Sequence, residues 1–271
     1  MTITPSLNLE VVKARQQATW ASGDFAEIAT LIVPVAERLA DAADLRAGSN
    51  VLDVACGSGN AALAAARLGC VVTGIDYVPA LLERGRERAA AERISVDFRA
   101  GDAEAIPVPD ESFDAALSVF GAMFAPDHRS AAAELVRVTR PGGTIALASW
   151  TPEGFVGSMF RTVAAHVPPP AGLASPMLWG TEEHLAELFG SDVTWIHRRR
   201  TFTFRFASAD EFVETFGAYY GPTVKALEAA GSARDVLASD LRELVRSWNR
   251  LEQPGAIAVP AAYLESVGVR R

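Results

Sequence analysis

The sequence predicts an α/β fold built on a doubly wound parallel sheet, and three observations carry that expectation. Residues 51–60, VLDVACGSGN, pass from β-favouring Val51, Leu52 and Val54 through a glycine turn at Gly57 and Gly59 directly into the helical pattern AALAAARL (Ala61 to Leu68). From there to Trp150, strand and helix patterns alternate, as βαβ units do. The run Phe113 to Phe120, FDAALSVF, has few polar residues and reads as a strand buried on both faces, as a central parallel strand is.

Taken in order, the first 50 residues read as helices: Leu9 to Ala21, a break at Ser22-Gly23-Asp24, then Phe25 to Ala43 with apolar Ile28, Leu31, Ile32, Val35 and Leu39. An N-cap at Ser22 or Asp24 is one of two readings of that break, the other being a contact with a ligand. The first strand and glycine turn follow, then a strand Cys70 to Ile75 ending in Asp76, and a helix Pro79 to Glu92 with proline at a permitted early position. Residues 94–99, ISVDFR, alternate like a third strand and lead into Gly101-Asp102-Ala103-Glu104, with Glu104 expected in an exposed loop. Ile106 to Ser112 is a turn-rich approach to the fourth strand. A helix from Arg129 to Thr139 ends at the stop signal Arg140-Pro141-Gly142-Gly143, which returns the chain to a fifth strand, Thr144 to Ser149.

Beyond Trp150 the composition shifts. A helix near Phe155 to Val167 precedes the rigid spacer Pro168 to Pro170 and the segment ASPMLWG (Ala174 to Gly180). Glu182 to Phe189 is a short helix, and Val193 to Phe206 a long alternating strand. Residues 208–250 return to helix behind a capping-box pattern at Ser208 and Glu211. Ala256 to Val259, a proline and Tyr263 to Val269 supply the last strand. The organisation expected is one domain over 1–271: a helical cap (1–45), a cofactor-binding core (46–150), and a substrate-side insertion, helical lid (208–250) and closing strands in 151–271.

The glycine turn sets bare backbone N–H groups at a helix N-terminus, which is a cofactor site in outline. Two cofactor classes compete for it. Gly57, Gly59 and Ala62 satisfy the G-x-G-x-x-G/A pattern of dinucleotide enzymes, and Asp76 stands about 20 residues on, where a ribose-binding acid is expected. Asp53, however, lies inside the strand where a pyrophosphate-binding turn carries an apolar residue, and a buried carboxylate suits a cation and repels an anion. S-adenosylmethionine carries an ammonium and a sulfonium.

Four separated blocks, VLDVACGSGN, VVTGIDYVPALL, FRAGDAEAIPVPDESFDAAL and RPGGTIALASW, resemble the class I S-adenosylmethionine-dependent methyltransferases, in particular the small-molecule group related to ubiquinone/menaquinone-type methyltransferases. The resemblance covers Val51 to Trp150 strongly and the flanks loosely. It implies a Rossmann-like sheet of seven strands in the order 3-2-1-4-5-7-6, the last antiparallel, and S-adenosyl-L-methionine as cofactor. It also implies cofactor contacts at Asp53, Ala55, Gly57 and Gly59, at Asp76 and Tyr77 on the ribose side, and at Asp102 and Ala103 for the adenine amino group and a ring nitrogen. Val119 and Phe120 follow at the end of the fourth strand, and Trp20, in WASGDF, is the expected contact from the cap. The alternative for Trp20 and Phe25 is ordinary core.

Methyl transfer from a sulfonium needs alignment and desolvation rather than a protein nucleophile, so no catalytic residue is assigned. Cys56, beside the turn, serves there as a small residue rather than a thiol nucleophile. An apolar or aromatic small-molecule acceptor is expected between Met123 and Phe124, Trp150, and Tyr219 and Tyr220 of the lid; Met123 and Phe124 read equally well as core, and the tyrosines as one core and one surface ring. An Asn-Pro-Pro-aromatic loop, the grip on a flipped base, does not occur. The rivals are an NAD-type oxidoreductase and a non-catalytic protein that retains the pocket as a scaffold.

A hydrophobic content of 49% supplies a core for the 271 residues. The net charge of −8 provides no basic field for nucleic acid, and the one basic run, Arg198 to Arg200, reads as a solvated strand end or turn. Cys56 and Cys70 lack CxxC spacing and fit a reducing compartment. Residues 1–20 show no basic start followed by an apolar stretch, and no run approaches the ~20 apolar residues of a membrane helix. A cytoplasmic protein with no membrane or nucleic-acid partner is expected, its oligomeric state open, a homodimer included. His128, His166, His184 and His197 show no metal-like spacing, so no metal is expected, and the Pro126-Asp127 turn is expected to point His128 outward.

Overall fold

The computed structural model describes residues 8–252 and 255–271; the first seven residues of the expected cap lie outside the described residues. Three helices precede the sheet: α1 (Leu9–Trp20), α2 (Phe25–Leu31) and α3 (Val33–Ala42). The core then alternates β1 (Asn50–Val54), α4 (Asn60–Arg67), β2 (Val71–Asp76), α5 (Pro79–Glu92), β3 (Asp97–Ala100), β4 (Phe113–Val119), α6 (His128–Val138) and β5 (Thr139–Trp150). The remainder comprises α7 (Phe155–His166), α8 (Glu182–Phe189), β6 (Val193–Phe206), the lid helices α9 (Ala209–Tyr219), α10 (Gly221–Ala229) and α11 (Arg234–Trp248), and β7 (Ile257–Arg270).

One seven-stranded sheet runs β3-β2-β1-β4-β5-β7-β6, with β7 antiparallel to both neighbours and the other pairs from β3 to β5 parallel. This is the Rossmann-like order that the resemblance implied. The centre is apolar on both faces: Val51, Leu52, Val54, Ala116 and Leu117 are 0% exposed. Parallel strands joined by right-handed crossovers bring their carboxyl ends to one edge, where an open sheet of this kind takes its ligand.

Several elements depart from the pattern read in the sequence. The helix expected over Phe25 to Ala43 breaks at Ile32, because Pro34 cannot donate within a continuous helix and is accepted only in the first turn of α3. The third strand starts at Asp97, since Arg93 ends α5 in a left-handed cap (φ 57°) with Ile94 N–H bonded back to Ala89, and this consumes the residues expected to begin it. In β5, Phe113 pairs with Thr139 and Ala115 already with Thr144, so Arg140 to Gly143 bulge out as the expected turn inside a longer strand. Pro260 lies within β7 rather than ending a strand; at its height β7 pairs with β6 alone, which spares a ladder hydrogen bond. Arg198 to Arg200 sit in the middle of β6 and not at a turn: Arg198 and Arg200 reach the buried Glu265 on β7, and Arg199 pairs with Glu153.

Two packing features position the site. The Phe98 ring on β3 occupies space that three glycines leave open: a Cβ at Gly59, Gly74 or Gly85 would stand 2.7, 2.9 and 2.8 Å from it. Cap and lid meet backbone to backbone, because a Cβ at Gly221 would collide with the Thr19 carbonyl and one at Gly23 would stand 2.7 Å from that of Tyr219. Among the described residues no helix is long and apolar enough to cross a membrane.

Candidate active site

The turns that follow β1, β2, β3 and β4 border a cleft roofed by Trp20 and Phe25 from the cap. β1 delivers Asp53, Ala55 and Gly57, β2 delivers Asp76 and Tyr77, the turn after β3 supplies Asp102 and Ala103, and β4 ends in Val119 and Phe120. Two non-glycine residues here hold left-handed backbone, Ala55 (φ 52°) and Phe120 (φ 54°), and Gly57 shares it at φ 54°. Strain of this kind persists where the surroundings over-determine the backbone, and here it lines the cleft.

Hydrogen bonds fix the turn from two sides. Asp76 accepts from Gly57 N–H (2.8 Å) and from Val78 N–H (2.8 Å), tying the glycine turn to the start of α5. From behind, Arg88 Nη1 donates to the Ser58 carbonyl (2.7 Å) and to Asn60 Oδ1 (2.8 Å), while Asn60 Nδ2 donates to the Ala29 carbonyl of α2 (2.8 Å). Asp53 Oδ2 accepts from Ala62 N–H in the first turn of α4 (2.8 Å).

The cleft is lined by three carboxylates, Asp53, Asp76 and Asp102, and among its described lining residues there is no lysine, arginine or histidine. Burial pushes Asp53 up to about 7; the Ala62 N–H opposes this and nearby Asp76 adds to it. Burial also raises Asp76, against hydrogen bonds from the N–H groups of Val78, Gly57 and Tyr77. A cationic ligand relieves this crowding of like charges, and an anionic one worsens it. Burial drives the Cys56 thiol well above its usual range, with Asp53 and Asp76 adding to the effect, so it is no thiolate nucleophile.

Beyond the cleft lies a second, smaller space, a chamber lined by apolar and aromatic side chains. Trp20, Phe25, Ile32, Phe120 and Phe124 line both spaces and form the partition. Trp150, Val156, Met159, Phe204 and the lid residues Phe216 and Tyr220 complete the chamber. Phe120 stacks flat on Trp150 (centroids 3.7 Å apart, planes at 3°), and Trp20 meets Phe124 and Tyr220 edge to face at 4.9 and 5.7 Å. Such pairs add packing energy of about 0.5–1.5 kcal/mol each beyond the area they bury.

The structure brings most of the residues singled out in the sequence to these two spaces: Trp20, Asp53, Ala55, Gly57, Asp76, Tyr77, Asp102, Ala103, Val119 and Phe120 at the cleft, and Phe124, Trp150 and Tyr220 at the chamber. Three it does not. Gly59 faces away, its missing Cβ making room for Phe98. Met123 is 1% exposed in a 3-10 turn and packs into the core instead of either space. Tyr219, the last residue of α9, is 41% exposed, and it is Tyr220, held by the turn into α10, that points inward.

Other expectations are corrected as well. His128 is buried rather than outward, with Nδ1 2.9 Å from Nε2 of His184 on α8, and its pKa falls to about 4, chiefly through burial and then through His184. Glu104 is not an exposed loop residue: its side chain is 8% exposed, pairs with Lys13 (2.6 Å) and accepts from Asp127 N–H (2.7 Å). The break at residues 22–24 does place Asp24 as N-cap of α2, accepting from Ala26 N–H, while Ser22 donates back to the Thr19 carbonyl.

Residues that sequence reasoning passed over are Lys13 and Gln17 of α1. Lys13 Nζ bonds Asp102 Oδ2 (2.6 Å), and Gln17 Nε2 donates to the Tyr77 carbonyl (2.6 Å), so the cap is fastened to the cleft at two points. Burial lowers the Lys13 pKa, but the hydrogen bonds it donates to Asp102 and Glu104, with the charges of both carboxylates, outweigh it and the net shift is upward. Its only sequence signal, a lysine on the first helix, is indistinguishable from a solvated one.

Comparison with known proteins agrees with this fold. The family model "Methyltransferase domain" matches residues 52–147. An uncharacterized protein of Mycobacterium tuberculosis, Rv1405c, is 42% identical over 251 residues, 90% of this chain and 91% of that protein. A demethylmenaquinone methyltransferase of Deinococcus radiodurans is 38% identical over 141 residues, covering 50% of this chain and 58% of that enzyme. Among solved structures, YcgJ of Bacillus subtilis shares the fold with a TM-score of 0.62 at 21% identity, over 87% of this chain and 97% of its own.

Proposed function

Because the chain belongs to the class I S-adenosylmethionine-dependent methyltransferases, we propose that it transfers the cofactor's methyl group to a small, apolar or aromatic molecule held in the chamber. The observation that carries this reading is the contrast between the two adjoining spaces, one lined by three carboxylates of which Asp102 alone pairs with a cation, Lys13, and the other by hydrophobic and aromatic side chains. The first fits an aminosulfonium ligand: Asp53 and the Gly57 turn would receive its amino-acid end, Asp76 the ribose hydroxyls, and Asp102 with Ala103 the adenine edge.

When bound, S-adenosylmethionine supplies an electrophilic methyl on sulfur, open to in-line displacement. The chain's own residues do the rest. The Phe120–Trp150 stack and Phe124 form the wall between cofactor and acceptor, and the Trp20, Phe25 and Tyr220 rings close the cover, which excludes water and strengthens the attraction between the carboxylates and a cation. The acidic charge of the chain and the lack of a basic lining favour a small molecule over nucleic acid. Cytoplasmic location and the absence of a membrane partner belong to the same proposal.

Calorimetry with S-adenosylmethionine and with NAD, followed by a search for S-adenosylhomocysteine formation across a panel of apolar acceptors, tests this reading. Binding of the first cofactor alone and turnover with a member of the panel are expected. NAD binding without S-adenosylmethionine binding would sink it in favour of an oxidoreductase, and cofactor binding with silence across the panel would favour a scaffold.

A further inference from the structure

S-adenosylmethionine carries a carboxylate as well as its ammonium and sulfonium, and the cleft that receives it is lined by Asp53, Asp76 and Asp102, with no lysine, arginine or histidine among the described lining residues. Two positive centres suit such a lining, but the carboxylate meets like charges on entering it. A counter-charge stands one layer behind the wall. Arg88, half-buried on α5, does not line the cleft, yet it bonds two residues that do: its Nη1 donates to the Ser58 carbonyl (2.7 Å), to Ser58 Oγ (3.1 Å) and to Asn60 Oδ1 (2.8 Å).

Those acceptors are all neutral. Burial lowers the Arg88 pKa, Glu92 opposes this and Arg67 adds to it, while Glu92 is itself held by Arg67 through two hydrogen bonds of 2.7 Å. A guanidinium is thus drawn partly out of water without an ion pair of its own among the described residues, an arrangement that costs free energy until an anion arrives. Ser58 is 1% exposed, and because its oxygen accepts from Arg88, its hydroxyl proton is free to turn toward a ligand in the cleft. The N–H groups of Ser58, Asn60 and Ala61, residues that line the cleft, have no backbone acceptor among the described residues.

We propose that Arg88 is a positioning residue that supplies, through Ser58, the counter-charge for the cofactor's carboxylate, and so makes an acidic cleft select the amino-acid form of the cofactor over its decarboxylated form. The inference rests on the cofactor placement proposed above and deepens it. A cation without a carboxylate satisfies Asp53 and Asp76 as well as the full cofactor does; what it lacks is the group that Arg88 and Ser58 meet. Arg88 touches no reacting atom and takes no part in methyl transfer itself.

The test titrates the full chain calorimetrically with S-adenosylhomocysteine and with its decarboxylated analogue, which keeps adenosine, sulfur and ammonium and lacks only the carboxylate. The parent is compared with Arg88→Gln, which keeps amide donors for the turn without the charge, and with Arg88→Lys, which keeps the charge without the fork. Arg88→Gln should bind S-adenosylhomocysteine about tenfold more weakly than the parent, the scale of one charge-assisted interaction, with affinity for the analogue unchanged. Arg88→Lys should recover to within about threefold of the parent, since the charge is retained. Ser58→Ala, which leaves Arg88 in place, should show the same selective loss at about threefold to fivefold, and it carries the comparison if Arg88→Gln does not fold. A loss equal for both ligands, as a slackened turn would give, an unchanged preference in Arg88→Gln or Ser58→Ala, or no recovery with lysine would each overturn this inference and leave the cofactor assignment standing. Failure of the parent to bind S-adenosylhomocysteine would overturn both together.

Discussion

Replacing Asp53 by asparagine should stabilise the ligand-free protein progressively, relative to the parent, as pH rises from 5 to 8. The carboxyl titrates at 3.8 in the unfolded chain and, through burial, at about 7 in the folded one. Between those values the folded protein keeps a proton that the unfolded chain has lost, so the stability this group contributes is fully present below pH 3.8 and is lost as pH rises through about 7. From pH 5 to pH 7 the parent crosses about two units of that window at about 1.4 kcal/mol each, and above pH 7 the loss levels off, giving about 2–3 kcal/mol in all. Asparagine keeps an oxygen for the Ala62 N–H and does not titrate, so the difference shows up in the parent. Calorimetric melting of both proteins at pH 5, 6, 7 and 8 reads it, and the gap in melting temperature should widen by roughly 5 °C or more. A gap that stays constant across this range would refute the reasoning. The same variant should bind S-adenosylmethionine more weakly, and binding to the parent should strengthen with rising pH around neutrality, releasing a proton as the ligand's positive charge draws Asp53 into its ionised form.

Asp76→Ala should weaken S-adenosylmethionine binding by roughly 1–3 kcal/mol in calorimetry, since it removes both the ribose acceptor and the tie to Gly57 N–H; unchanged affinity in the folded variant would show the cofactor to be elsewhere. Gly57→Val should cost more, because a branched residue must adopt φ 54° where the ligand needs bare backbone. Lys13→Met should unfasten α1 from Asp102 and Glu104, speeding cofactor release about fivefold in stopped flow, as a half-buried ion pair worth about 1 kcal/mol implies. Gly221→Ala, whose new methyl meets the Thr19 carbonyl, should lower stability by about 1–3 kcal/mol in denaturant titration and pry cap and lid apart.

What the sequence conveyed and what it withheld follow from the range of the interactions involved. The glycine turn, Asp53, Asp76 and the alternation of elements up to Trp150 are local patterns, and the structure places them as read. The strand order past β5 came from the four-block resemblance, because neither periodicity nor spacing says that β7 inserts between β5 and β6. Lys13 on Asp102 spans 89 positions and His128 on His184 spans 56, and no local signal marks either pair. The choice between Tyr219 and Tyr220 was undecidable from adjacent identical residues; it is settled by where α9 ends and α10 begins. Pro34 was legible in principle, and its rule for helix interiors gives the break at Ile32.

Phe98 and the three glycines around it have a consequence for how this scaffold can change over time. Gly59, Gly74 and Gly85 come from a turn, a strand and a helix, yet each is barred from gaining a methyl by the same ring. A lineage that acquires alanine at Gly85 must first accept a smaller residue at position 98, whereas Gly74 is also held by Cys56 Sγ at 3.1 Å and Gly59 by its left-handed backbone at φ 82°. Drift at positions 85 and 98 should therefore be correlated rather than independent, with Phe98→Leu as the permissive step: Gly85→Ala, destabilising alone, should be largely rescued in the Phe98→Leu background.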